Sequence, residues 1–125
     1  MHELKEELNI ENMIYEIRGK QVMLDSDLAK LYNVETKRIN EAVKNNPDKF
    51  PGRFYFRINE NEFLSLKSKF STSKGGSRKG HNVFTEQGIA MLSTILKSKV
   101  AVETSIRIMD AFVKMRKIIS SNLIE

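Results

Sequence analysis

Between Asp25 and Asn45 three local demands are met at fixed intervals, and few architectures need all of them together. Leu28, Leu31 and Tyr32 recur at i, i+3 and i+4, which is one face of a helix. Ala29, on the same segment, is small where a second helix would have to cross closely. Asn33 follows, one of the few residue types that accepts a left-handed backbone at a helix end. Ile39 is a branched apolar residue on the inner face of a second helix, from about Glu35 to Asn45, with Ala42 and Val43 beside it. Leu28, Tyr32, Val34 and Val43 are expected to fill the flanking apolar positions. Asp25 reads as the N-cap of the first helix, with Asp27 in its first turn, and Pro47 stops the second helix. The spacing predicts a helix-turn-helix pair.

The segments around this pair read as a mixture of strands and helices. Apolar alternation over Met13–Leu24, interrupted by Gly19-Lys20, predicts a β-hairpin. Phe54–Ile58 predicts a short aromatic strand. Asn59 and Glu62 form a capping-box pattern opening a helix with Phe63, Leu66 and Phe70 on one face. Val83-Phe84 is expected to pair briefly with another strand. Thr85 is expected to cap a helix running to about Leu96, with Ile89, Leu92 and Leu96 toward the core. The last helix, from about Lys99 to Ile119, has two apolar stripes: Val102, Ile106, Met109 and Val113, and Ile108, Phe112, Met115 and Ile119. A helix that covers only its own domain needs one stripe. The expected fold class is α+β: an N-terminal β-hairpin, the helix pair, short strands, a basic wing-like loop and two C-terminal helices. Residues 1–11 read as an arm or short helix and 12–98 as the domain. Residues 99–125 read as a helix that packs on the domain and mediates self-association, most simply as a homodimer.

Charge and composition narrow the function classes. The chain has 125 residues and a net charge of +5, which suits a polyanionic partner. Positive charge is concentrated where Lys67–Lys79 carries no acid. There are no cysteines, so thiolate zinc sites and cysteine nucleophiles are excluded and a reducing, cytoplasmic setting is expected. No apolar run approaches a membrane span and no leader is legible at the acidic N-terminus, so no membrane association is expected. His2 and His81 have no evident catalytic or metal-ligating partners, and no phosphate loop, dinucleotide fingerprint or nucleophile elbow occurs. Enzymatic activity, a cofactor and a metal are therefore not expected.

The outward face of the second helix offers Glu35, Thr36, Lys37, Arg38, Asn40, Glu41 and Lys44. Arg reads guanine bidentately and Asn reads adenine, while Lys and Thr hold the phosphate backbone. Residues 71–82, read as a Gly-rich loop, add Lys74, Arg78 and Lys79 as a second contact beside a recognition helix. Thr36, Lys37, Arg38, Asn40, Glu41 and Lys44, with Lys74, Arg78 and Lys79, are the candidate DNA-binding residues. The same charges also suit an ordinary solvated face. In a rival reading, the two-striped helix and the 54–58 strand capture another protein, such as a repressor.

The stretch IRGKQVMLDSDLAKLYNVETKRINEAVKNN (17–46) resembles the start of the phage ORF-six N-terminal domain, part of the KilA-N superfamily. VFTEQGIAMLSTIL (83–96) resembles the second signature of that family, and IRIMDAFVKMR (106–116) its C-terminal helix. The resemblance implies a double-stranded DNA-binding module of phage, prophage and related regulatory proteins, often antirepressors. It assigns the DNA-binding helices to Asp25–Asn45. Asn33 stands where such sequences more often have Gly, and tolerates the same backbone angle. For Thr85-Glu86-Gln87-Gly88 a structural role is expected: a cap, polar groups in the first turn, and a Gly that permits close packing.

Overall fold

The computed structural model describes residues 9–67 and 80–124. A 3-10 turn at Ile10–Met13 leads into β1 (Tyr15–Ile17) and β2 (Lys20–Leu24), which pair antiparallel. The two-residue turn between them is Arg18-Gly19, both at positive φ, 55° and 77°. Such a turn matches the right-handed twist of the flanking strands. The expected turn pair Gly19-Lys20 is thus one residue late, because Lys20 already pairs with Ile17.

Strand β2 runs without a linker into α1 (Asp25–Tyr32), followed by α2 (Thr36–Asn45). The capping position therefore falls on the buried Leu24, and Asp25 is not the N-cap expected of it. Its carboxylate is turned instead toward α2. Asn33 has φ 60° and ψ 47°, the left-handed cap the sequence predicts. The Val34 N–H then bonds the Ala29 carbonyl at 3.0 Å. Val34 itself stands outside the core on this turn, contrary to the flanking role expected of it. Ala29, Ile39, Ala42 and Val43 are all buried between the helices. Burying an Ile side chain contributes about 1.5–3 kcal/mol.

A second 3-10 turn at Pro47–Lys49 leads to β3 (Tyr55–Ile58) and α3 (Glu60–Lys67). The capping box forms as written: Glu62 N–H donates to Asn59 Oδ1 at 2.8 Å, and Asn59 N–H to Glu62 Oε1 at 2.9 Å. Phe70, expected on this helix, lies outside the described residues. After them come β4 (His81–Thr85), α4 (Glu86–Ser93) and α5 (Lys99–Ile124). Val83 and Phe84 belong to a five-residue strand at the inside of the sheet, not to a brief pairing; the order is β1-β2-β4-β3, antiparallel throughout. The fold is α+β.

Strand alternation divides the core into two layers. Met23, Tyr55 and Phe84 face α1, α2, α4 and α5, where Leu28, Ile39, Ile89, Leu92, Ile108 and Phe112 are fully buried. Ile17, Val22, Leu24, Ile58 and Val83 face the other way, against Phe63 and Leu66 of α3. Arg18 closes that second layer. Its guanidinium grips the Glu62 carboxylate with two bonds of 2.9 Å and lies 5.0 Å from the Phe56 ring. The Arg18 hydrogen bond, helped by the Asn59 N–H, holds the Glu62 carboxyl below its ordinary value.

The second signature acquires a structural role. Thr85 Oγ1 accepts from Gly88 N–H at 3.2 Å and donates to the Arg53 carbonyl at 2.9 Å. Thr85 N–H bonds the Phe54 carbonyl at 2.9 Å. Gly88 lies so close to this carbonyl that a Cβ would sit 2.0 Å from its oxygen. Glu86 pairs with Arg116 of α5. The signature fastens α4 to the segment entering β3.

Helix α5 joins the same core through Ala101, Ile108, Ala111 and Phe112. Its inner stripe is shorter than expected, since Ile119 is exposed. Among the described residues no helix is long and apolar enough to cross a membrane. Tyr32 ties α1 to α5 through a buried 2.6 Å hydrogen bond to Ser105 Oγ. Burial pushes the Tyr32 phenol above its ordinary value of 10, with the Ser105 bond opposing in part. A raised acid favours the folded state while it is neutral. That contribution is complete below the unfolded value of about 10 and is lost as pH rises through the folded value. Tyr32→Phe is expected to cost about 1 kcal/mol at neutral pH. Denaturant titrations at increasing alkaline pH should show a shallower fall in stability for the variant than for the parent chain.

Candidate nucleic-acid interface

Helix α2 presents its charged side chains in two ways. Lys37, Glu41 and Lys44 are exposed along its outer face, with Glu35 just ahead of it. Thr36 and Arg38 are half-buried at its first turn. All but Glu35 lie on one short helix, anchored from behind by Ile39, Ala42 and Val43. Lys74, Arg78 and Lys79, the other expected contacts, lie outside the described residues.

Asn40 is placed differently. Its Nδ2 donates to Asp25 Oδ2 at 2.9 Å, and its Oδ1 accepts from Asn82 Nδ2 at 2.8 Å. Asn82 Oδ1 in turn accepts from Arg57 Nη1 at 3.2 Å. The amide expected to read a base is occupied on both sides by the protein itself. The resulting chain, Asp25–Asn40–Asn82–Arg57, runs through α1, α2, β4 and β3.

This chain has a clear origin in strand periodicity. Tyr55 and Phe84 face the helix layer, and Arg57 and Asn82 sit two residues away on the same face of their paired strands. At this end of the sheet the face beneath the helices therefore changes from apolar to polar. The basic segment re-enters the described structure here. Gly80 passes so close to β3 that a Cβ would meet the Ile58 carbonyl oxygen at 2.7 Å. His81 and Asn82, expected in the loop, instead open β4. His81 is not without partners: its ring stacks on Phe63 at 3.7 Å and its Nε2 lies 3.3 Å from Glu60 Oε1. The Asn40–Asn82 bond thus joins α2 to the point where the chain leaves the basic segment and enters the sheet.

Arg57, Asn82 and Gly80 escaped the sequence reading. The available signal was positional, a polar residue two places from an inward aromatic on each of two strands. The 54–58 strand is at the sheet edge, yet Tyr55 packs against Phe50 and Phe84, and Phe56 lies beneath Arg18. Its aromatic rings serve the two core layers. Among the described residues no cluster of three His, Cys, Asp or Glu side chains could hold a metal ion.

Comparison with known families gives one match: the ORF6N domain model aligns with residues 12–95. No curated protein and no solved structure matches the chain significantly.

Proposed function

The chain belongs to the ORF6N domain family, and from that premise we propose that it is a double-stranded DNA-binding module of a phage-type regulatory protein, acting in the cytoplasm with α2 in the major groove. The observation that carries this reading is the Asn40–Asn82 bond, which puts the exit of the basic segment beside α2. A helix with outward Lys37, Glu41 and Lys44, beside which the chain enters β4 after a basic stretch of sequence, suits a recognition helix with a second contact at its flank. Lys37, Arg38 and Lys44 hold phosphates, and Lys74, Arg78 and Lys79 extend the contact along the backbone. Thr36 and Glu41 lie where the groove edge would pass. Asn40 serves as a positioning residue for this surface. Antirepressor-like control of transcription is the regulatory role that fits such a module.

Duplex-DNA affinity measured across salt tests the proposal. With about four to six phosphates neutralised, affinity should fall roughly 10²–10³-fold between 50 and 200 mM salt. Replacing Lys37, Arg38 and Lys44 together by Ala should weaken binding and reduce the magnitude of the logarithmic salt slope by about 2 to 3. A flat salt response, or a variant that binds like the parent chain, would overturn the reading.

A further inference from the structure

Helix α5 carries six of the seven exposed large hydrophobic side chains among the described residues. Val102, Ile106 and Val113 are 47%, 56% and 38% exposed, and with the half-buried Met109 they recur at intervals of four, three and four. That is the a/d spacing of a helix-helix seam. Beside the seam, α4 and α5 enclose a shallow, mainly apolar hollow of about 200 Å³, lined by Ala90, Ser93, Ser105 and Met109 along with Val102 and Ile106. A projecting apolar side chain and a hollow that can receive one therefore lie on the same face. This is the self-complementarity that a two-fold interface requires.

Charge along α5 selects the partner and its direction. Glu103 and Asp110 lie beside the N-terminal half of the seam and Lys117 beside the C-terminal half, while Lys114 and Arg116 are paired within the chain to Glu11 and Glu86. Glu103, Asp110 and Lys117 are seven residues apart and share one side of the helix. A second copy laid antiparallel, with the axis near Asp110, brings Glu103 against Lys117 of the other chain at both ends. A parallel copy would bring no Glu103 within reach of a Lys117, whereas the antiparallel pairing gains that pair at both ends and sets only Asp110 beside its own copy, at the axis. The seam from Val102 to Val113 takes up about 17 Å of the 26-residue helix.

We propose that the outer face of α5, with the α4–α5 hollow, is the docking site for a second copy of this chain, paired antiparallel. The dimer does not depend on DNA binding. If α2 reads DNA as proposed above, the dimer presents two such helices related by a two-fold axis, so the preferred site is palindromic.

Sedimentation of the full chain tests this directly, with a dimer expected at micromolar concentrations. Ile106→Glu places a charge in the seam twice and should weaken association at least 100-fold. Ile106 is more than half exposed, so the circular dichroism and thermal transition of the variant monomer should remain cooperative. The chain has no cysteine, so single Cys variants report orientation cleanly. Under mild oxidation Asp110→Cys should form a disulfide-linked dimer. Glu103→Cys should not, since antiparallel pairing separates those positions by about 21 Å. A monomeric parent chain, a fully dimeric Ile106→Glu variant, or cross-linking through Glu103→Cys would each overturn the proposal. Salt-dependent DNA binding by a monomer would sink the dimer alone, while a dimer without DNA binding would sink only the DNA reading.

Discussion

Gly88→Ala is expected to destabilise the fold by about 3 kcal/mol, the upper part of the range for overpacking. The sign is itself diagnostic. In an open helix the same change gains roughly 0.5–1 kcal/mol, because Ala is the better helix former. Here the added methyl carbon meets the Phe54 carbonyl oxygen at 2.0 Å and its carbon at 2.8 Å. Backbone cannot rotate away as a side chain would. Relief requires α4 to lift from the segment entering β3, which strains the Thr85 bonds to Arg53 and Phe54. Chemical denaturation of the variant decides the matter; a neutral or stabilising result would mean that α4 does not sit against Phe54.

Phe112→Ala should cost about 3–5 kcal/mol through the cavity it leaves. The ring is 1% exposed and belongs to the same cluster as Met23, Phe84 and Ile89. Because α5 supplies Ala101, Ile108 and Phe112 to that cluster, the loss should move the whole unfolding transition, with its cooperativity intact. If α5 were an appendage, the variant would fray the helix and leave the main transition in place. Far-ultraviolet circular dichroism together with a probe at Tyr55 separates the two outcomes.

These two positions differ in how readily the sequence discloses them. Phe112 is legible because helical periodicity puts it beside Ile108 on an inward stripe. Gly88 is legible only as a small residue in a helix; its neighbour, Phe54, is remote in sequence and no local pattern links them. The same division runs through the molecule. Leu28, Ala29, Asn33 and Ile39 depend on nearest-neighbour geometry, so the helix pair could be read directly. Asp25 could not, because its role follows from β2 abutting α1 and from Asn40 arriving across the turn. The outer face of α2 was legible as a row of polar side chains. Which of them is available, and which is held internally, depends on Asn82, forty-two residues away from Asn40. Val34 shows the complementary error: an apolar residue in the right sequence window is turned outward by the left-handed step at Asn33.

The Asp25–Asn40–Asn82–Arg57 chain also limits what can be transplanted. Residues 25–45 look like a self-contained cassette that could be moved with its turn and little else. Here such a graft would leave Asn40 Oδ1 without the donor that β4 supplies, at a half-buried site where an unmet polar group costs about 1–3 kcal/mol. A host would have to provide an amide at the Asn82 position, or replace Asn40 with an apolar residue and lose the directional tether. Because α1 continues directly from β2 and both helices share a core with Ile89, Leu92, Ile108 and Phe112, the smallest transferable unit runs from the β-hairpin through α5.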